Sequence, residues 1–210
     1  MSPSPISDSR RSPAKRDAIL AAAMAAFLRN GYARASVDAI AAEAGVGKQT
    51  VYGHFGNKED LFLAVVDHAR LLAGLGPEAF GALIPSTGNV RADLEAAGER
   101  IIRAVTAPHV AALHRLTIAE MTHHPQLQKS WRDDGSTEAL AEAIAHYLLQ
   151  CAGRRVLVVP DPALSARQMI MLLSIEAQVT SLRGLEPLSD PQVRQISRDV
   201  VDLILRAHRP

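Results

Sequence analysis

The sequence predicts an all-α protein with a small N-terminal helical unit and a larger C-terminal one. Three observations carry that prediction. Apolar residues recur at helical spacing in block after block. Gly, Pro and Asn fall mostly between those blocks. The apolar content, 48% of 210 residues, is dominated by Ala, Leu, Val and Ile, with aromatics at only 4%. That composition favours helices over strands.

Residues 1–12, rich in Ser, Pro and Arg, read as a flexible basic arm. From Pro13 onward Ile19, Ala22, Ala23, Ala26 and Phe27 share one helical face, and Asn30-Gly31 ends the helix. Ser36 stands as an N-cap before Val37, Ile40, Ala41 and Ala44, and Gly45 stops this second helix. The segment "VGKQTVYGHF", residues 46–55, follows at once. Asn57, with Asp60 three residues on, then opens the longer helix "KEDLFLAVVDHARLLA". A breaker-rich stretch, "AGLGPEAFGALIPSTG", separates this part from the rest. The expected organisation is an arm over 1–12, a three-helix unit over 13–57, a linking helix over 58–76 and a C-terminal unit over 77–210.

In that second unit Leu94, Ala97, Ile101 and Val105 mark a fifth helix. Pro108 starts a sixth to about Thr122, and Pro125 a seventh to about Ala152, with Gly135 as a point of breakage or kinking. "VLVV" at 156–159 reads as an extended loop, since no partner strand is in view. Asp161-Pro162 and Asp190-Pro191 place Pro just inside helix starts, opening helices over 162–183 and 191–208. The first contains "MIMLLSI", apolar nearly all round, so both its sides should be covered. The second carries Val193, Ile196, Val200, Leu203, Ile204 and Ala207 on one stripe. Two such helices at the end of a chain point to a subunit interface, with burial inside one chain as the alternative.

Several function classes drop out. A net charge of +1 makes no polycation, so affinity for nucleic acid must come from local placement of charge. Cys151 is the only cysteine, which excludes an intramolecular disulfide and a multi-cysteine metal site, and it reads as a buried helix residue. No apolar run approaches the ~20 residues of a membrane span. The start lacks a hydrophobic signal region, so a cytoplasmic location is expected. His109, His114, His123 and His124 lack the HExxH arrangement, and neither a metal nor a cofactor is expected. No phosphate-binding or dinucleotide glycine pattern and no GxSxG appears, and no acid, base or nucleophile converges, so the chain is not read as an enzyme.

The positive signal is the segment 46–55. A short helix, a tight turn beginning with Gly45 and a second short helix make a helix-turn-helix, whose second helix enters the major groove of DNA. Val46, Val51 and Phe55 can anchor that helix, leaving Lys48, Gln49, Thr50, Tyr52 and His54 on the exposed arc. Gln can bond adenine edges, Thr can touch a thymine methyl, and Lys can reach guanine or phosphate.

Residues 16–66, and above all the core "TVYGHFGNKEDL", resemble the tetracycline-repressor (TetR) family of transcriptional regulators. Residues 110–208, with "RLTIAEMTHHPQL", are similar to the C-terminal domain of one of its subgroups. The resemblance implies an all-α homodimer. Its three N-terminal helices bind double-stranded DNA, a fourth links the domains, and the rest form a ligand pocket and a four-helix interface from helices 162–183 and 191–208. It points to Thr50 and Tyr52 as groove or phosphate contacts, Lys48 and Gln49 as nearest the base edges, and His54, Lys58 and Ser36 as phosphate contacts. Two departures stand out: Gly47 where Ser commonly caps the recognition helix, and Gly53 where a bulkier residue is frequent.

The sixth helix, "VAALHRLTIAEM", is mostly apolar, so His114, Thr117 and Glu120 can face an internal cavity. Met121, Trp131, Tyr147, Met169 and Met171 can add flexible or aromatic surface. The expectation is a repressor that binds a palindromic operator as a dimer and is released by a small molecule. An effector-independent regulator or an activator is the alternative.

Overall fold

In the computed structural model, residues 12–76, 79, 82–125, 128 and 135–210 are described. The arm expected over 1–12, but for Ser12, and Trp131 lie outside those residues. Among the described residues the secondary structure is helical, as the fold class requires: α1 (Pro13–Arg34), α2 (Val37–Glu43), α3 (Lys48–Phe55), α4 (Lys58–Leu72), α5 (Val90–Val105), α6 (Pro108–Glu120), α7 (Gly135–Gly153), α8 (Pro162–Thr180) and α9 (Asp190–Ala207).

The chain falls into two compact units. The first gathers the described residues of 1–69 and of 112–132. Its core is Ile19, Leu20, Ala23, Phe27, Ile40, Val51, Leu61 and Phe62, each at most 1% exposed. Phe27, Tyr32 and Phe62 pack as an aromatic triad, with centroids 5.0–5.9 Å apart. Gly31 interrupts α1 with φ 75°, so the helix proper stops where Asn30-Gly31 predicts, and one further turn follows. Grouping 112–132 with the N-terminal helices is not visible along the chain. It reflects contacts such as His124 edge-on to the Tyr32 ring at 4.6 Å.

The second unit comprises the described residues of 70–111 and of 133–210. Here α8 packs against α5, α7 and α9, and α5 packs against α9. Leu94, Ile101, Ile144, Leu148, Met169 and Leu173 are fully buried between them. The starts obey their caps: Asn89 accepts from the Ala92 amide (3.2 Å) and Asp161 from the Leu164 amide (2.9 Å). At Ser189, the backbone N–H and the hydroxyl both donate to Gln192 Oε1.

Two expectations need adjustment, while α7 is described from Gly135, the point expected to break or kink the seventh helix. The helix expected over 162–183 ends at Thr180, because Leu182, Arg183 and Gly184 take left-handed φ values of 47°, 57° and 78° and close it. The α9 stripe is buried within its own chain at Val193, Ile196, Val200 and Ile204, leaving Leu203 54% exposed. The uncovered apolar surface lies instead on α8, where Leu164, Met171, Ile175, Val179 and the following Leu182 are exposed.

The 156–159 segment is an extended loop, as read. Its Val158 amide donates to the His208 carbonyl at 2.9 Å, and Leu157 and Val159 point inward. Cys151 is buried at 3% exposure.

Candidate nucleic-acid interface

The turn between α2 and α3 is dictated residue by residue. Gly45 takes φ 67°, a conformation that favours glycine. Its amide donates to the Ala42 carbonyl (3.2 Å) and the Val46 amide to the Ala41 carbonyl (3.0 Å). This is the hydrogen-bond pair that closes a helix with a left-handed residue. Gly47 then serves as the N-cap of α3 through its carbonyl, which accepts from Thr50 at 2.8 Å. Gly56, at φ 77°, ends α3 after eight residues.

On α3, Val51 and Phe55 point inward at 1% and 7% exposure. Arg16 of α1 lies over the Phe55 ring at 5.5 Å, and Arg29 of α1 pairs with Glu43 of α2 at 2.6 Å. Both contacts tie the two short helices to the long one. The opposite side presents Lys48, Gln49 and Tyr52 to solvent, with Thr50 half-buried beside them. Lys48, Gln49 and Tyr52 share one arc because four residues nearly complete one helical turn. Gly53 lies on this open side, and a Cβ there would meet nothing within 4 Å.

The other expected contacts sit less openly. His54 is half-buried, tilted against Phe55 at 5.9 Å, and its Nε2 is buried without a hydrogen-bond partner among the described residues. Lys58 is half-buried too. Its Nζ donates to the Ala33 carbonyl (3.1 Å) and stands 4.7 Å from the Tyr32 ring centroid. Burial pushes its ammonium below the ordinary lysine range, against the opposing pull of Glu59 and Glu120. Burial, reinforced by Glu59, raises the Tyr32 phenol. Ser36 occupies the N-cap position of α2, yet its exposed side chain makes no capping bond.

Sequence reasoning did not single out Asp38. It lies in the first turn of α2 and pairs with Lys48 at 2.9 Å. The Asp38 carboxylate holds the Lys48 ammonium above its usual value, first by hydrogen bond and then by charge. A lysine ten residues after an aspartate across a helix-turn-helix was the only signal for it.

The residues expected to line a ligand site are placed as follows. His114 and Met121 are half-buried, and Thr117 is 1% exposed with its hydroxyl donating to the Leu113 carbonyl of its own helix (2.8 Å). These three belong to the first unit. In the second unit Met169 is fully buried in the core, and Met171, also named for such surface, is 63% exposed. Tyr147 is 7% exposed and donates to Asp93 Oδ2 at 2.7 Å. Thr87 donates to Asp93 Oδ1 through its amide (3.0 Å) and its hydroxyl (2.7 Å). Burial works to raise the Asp93 carboxyl, but these bonds outweigh it and hold it below the ordinary aspartate value. No group of three or more potential metal ligands occurs among the described residues.

A short polar helix set on an apolar anchor beside a second helix, followed by a helical bundle, defines a helix-turn-helix protein. Comparison with known proteins narrows that class. Residues 19–65 match the family described as "Bacterial regulatory proteins, tetR family", and residues 92–210 match "AefR-like transcriptional repressor, C-terminal domain". The chain belongs to the TetR family of transcriptional regulators, a non-enzymatic class.

An HTH-type transcriptional regulator of Mycobacterium bovis is 34% identical over 110 residues, 52% of this chain and 49% of its own length. The DNA-binding transcriptional repressor TetR of Mycobacteroides abscessus is 30% identical over 138 residues, covering 66% of this chain and 62% of that protein. The match thus spans about half to three-fifths of the length of these curated relatives. Among solved structures, a TetR-family transcriptional regulator from Mesorhizobium loti superposes with TM-score 0.80 at 29% identity, covering 95% of this chain and 99% of that one. The flavonoid-responsive regulator FrrA superposes with TM-score 0.72 at 25% identity over 95% and 99% of the two chains.

Among the described residues, no helix is long and apolar enough to cross a membrane.

Proposed function

We propose that the protein is a transcriptional repressor that binds a palindromic DNA operator as a homodimer and leaves it when a small molecule binds. The observation that carries the reading is the arc of Lys48, Gln49 and Tyr52 on α3, held outward by Val51 and Phe55. Thr50 completes that surface. Ser36, with its hydroxyl unused by the helix it precedes, is a phosphate contact at the rim. His54 and Lys58 reach phosphate only by rotating out of their present partners.

Dimerisation uses the exposed apolar stripe of α8 and the adjoining face of α9, so the pair of chains buries what one chain leaves open. Two recognition helices then address half-sites about one helical turn, ~34–36 Å, apart. Such a regulator works on chromosomal DNA in the cytoplasm. Response to a small molecule is supported by the likeness to FrrA, which is flavonoid-responsive. The effector must bind the DNA-released state better than the DNA-bound one, since equal affinity shifts nothing.

The test is a gel-shift titration on a duplex that the wild-type protein selects from a randomised pool. Replacing Tyr52 by Ala should weaken binding by an order of magnitude or more while the dimer persists in size-exclusion chromatography. Unchanged affinity rejects the assigned role of α3. Candidate effectors are then added to the complex. Release supports the ligand-responsive reading, and persistence with every compound that raises the melting temperature of the free protein supports an effector-independent one.

A further inference from the structure

Asp38 and Lys48 form an exposed ion pair across the helix-turn-helix, with side chains 67% and 48% accessible. Exposed pairs of this kind add little to fold stability, because water and salt screen them and two side chains must be held still. The two helices are also joined already, by the closing bonds of the Gly45 turn and by the buried Ile40 and Val51. What the pair does fix is the direction of one ammonium. Lysine is a point charge on a flexible four-carbon stem, so an untethered Lys48 at the first position of α3 would swing toward any phosphate in reach. Asp38 removes that freedom and offsets the charge.

We propose that Asp38 is a specificity-determining residue that acts through Lys48: it holds the ammonium over the base edges and keeps it off the phosphates. This rests on the reading that α3 enters the major groove. The chemistry allows both roles at once, since an ammonium has three donors. One stays on Asp38 while the others reach guanine O6 and N7. On a duplex without a suitably placed guanine, Lys48 stays paired. It then releases no counterion, and the Asp38 carboxylate repels the backbone. Selectivity arises from the penalty on wrong sequences as much as from the contact with the right one.

The experiment compares wild type, Asp38→Asn, Asp38→Glu, Lys48→Ala and the Asp38→Asn/Lys48→Ala double variant. Each is titrated by fluorescence anisotropy over a range of salt concentrations, against the selected duplex and a scrambled duplex of the same length. Thermal melts and size-exclusion profiles establish that each variant is folded and assembled like wild type; Asp38→Glu keeps the charge and serves as the conservative rescue. Asp38→Asn should lower the ratio of selected to scrambled affinity by on the order of tenfold, chiefly by tightening the scrambled complex. Its salt slope on the scrambled duplex should steepen by about one unit, the signature of one newly freed cation. Asp38→Glu should retain the wild-type ratio, and Asp38→Asn should leave the ratio unchanged in the Lys48→Ala background.

An equal loss on both duplexes at constant slope would assign Asp38 to holding α2 and overturn the inference. A fall in selectivity that persists without Lys48 would assign Asp38 a base contact of its own and overturn it likewise. Failure of the wild-type protein to select any duplex, or full binding by Tyr52→Ala, would instead overturn the groove reading and this inference with it.

Discussion

Gly98 offers a sharp test of how the C-terminal unit is packed. It is buried on α5 where that helix meets α9 and α8. A Cβ added there would fall well inside contact distance of the Ser197 hydroxyl, and 3.3 Å from both Ser197 Cβ and Leu173 Cδ2. Ser197 cannot yield freely: it is fully buried, and its hydroxyl donates to the Glu95 carbonyl at 2.8 Å. Gly98→Ala must therefore break that bond or part the helices. Overpacking by one methyl costs about 1–3 kcal/mol, and leaving a buried hydroxyl unpaired costs about 1–3 kcal/mol. Better helix propensity returns about 1 kcal/mol. With both costs incurred the net expectation is a loss of about 1–5 kcal/mol, or roughly 2–20 °C in melting temperature for a chain of this size. Circular-dichroism melts and urea titrations measure it. Adding Ser197→Ala to Gly98→Ala should recover much of the loss, because the crowded oxygen is gone and its hydrogen bond is already sacrificed. A Gly98→Ala protein as stable as wild type or more so would refute the packing argument.

Two further outcomes follow from the same unit. The folded-state pKa of Asp93 is depressed, so its stabilisation is fully present above the ordinary aspartate value of ~3.9 and is lost as pH falls through the folded value. Asp93→Asn should lower stability at neutral pH by about 1–3 kcal/mol and flatten the acid limb of a stability-versus-pH curve; an unchanged acid limb would contradict that role. Ile175, 55% exposed on α8, should tolerate Glu in a folded chain but not in the dimer. Light scattering of Ile175→Glu should report a monomer with wild-type helicity, whereas an intact dimer would move the interface elsewhere.

Much of the fold was legible because helix starts and stops are local chemistry. Pro13, Pro108 and Pro162 each open a helix, Asn57 and Asp161 cap one, and Gly31 and Gly45 each stop one. Local signals fail where the deciding contact is remote. Nothing near Leu203 tells that the single apolar stripe of α9 turns into its own chain, because a one-sided stripe looks the same whether a neighbouring helix or a second subunit covers it; the surface left open lies on α8, apolar nearly all round. The interface was legible in part. Lys48, Gln49 and Tyr52 face outward as the anchors Val51 and Phe55 require, but Lys58 turns to the Ala33 carbonyl, which lies 25 positions back along the chain. Asp38 escaped notice for the same reason: its partner is ten positions on, across a turn whose geometry decides whether the two meet.

The most direct measurement of the central claim is protection of guanine N7 from methylation on the selected duplex. Two recognition helices in successive major grooves should shield two clusters of guanines on one face of the DNA, centred about one helical turn apart. Protection should weaken at both clusters in Tyr52→Ala and Gln49→Ala protein. A single protected cluster, or binding that leaves every major-groove N7 reactive, would contradict it.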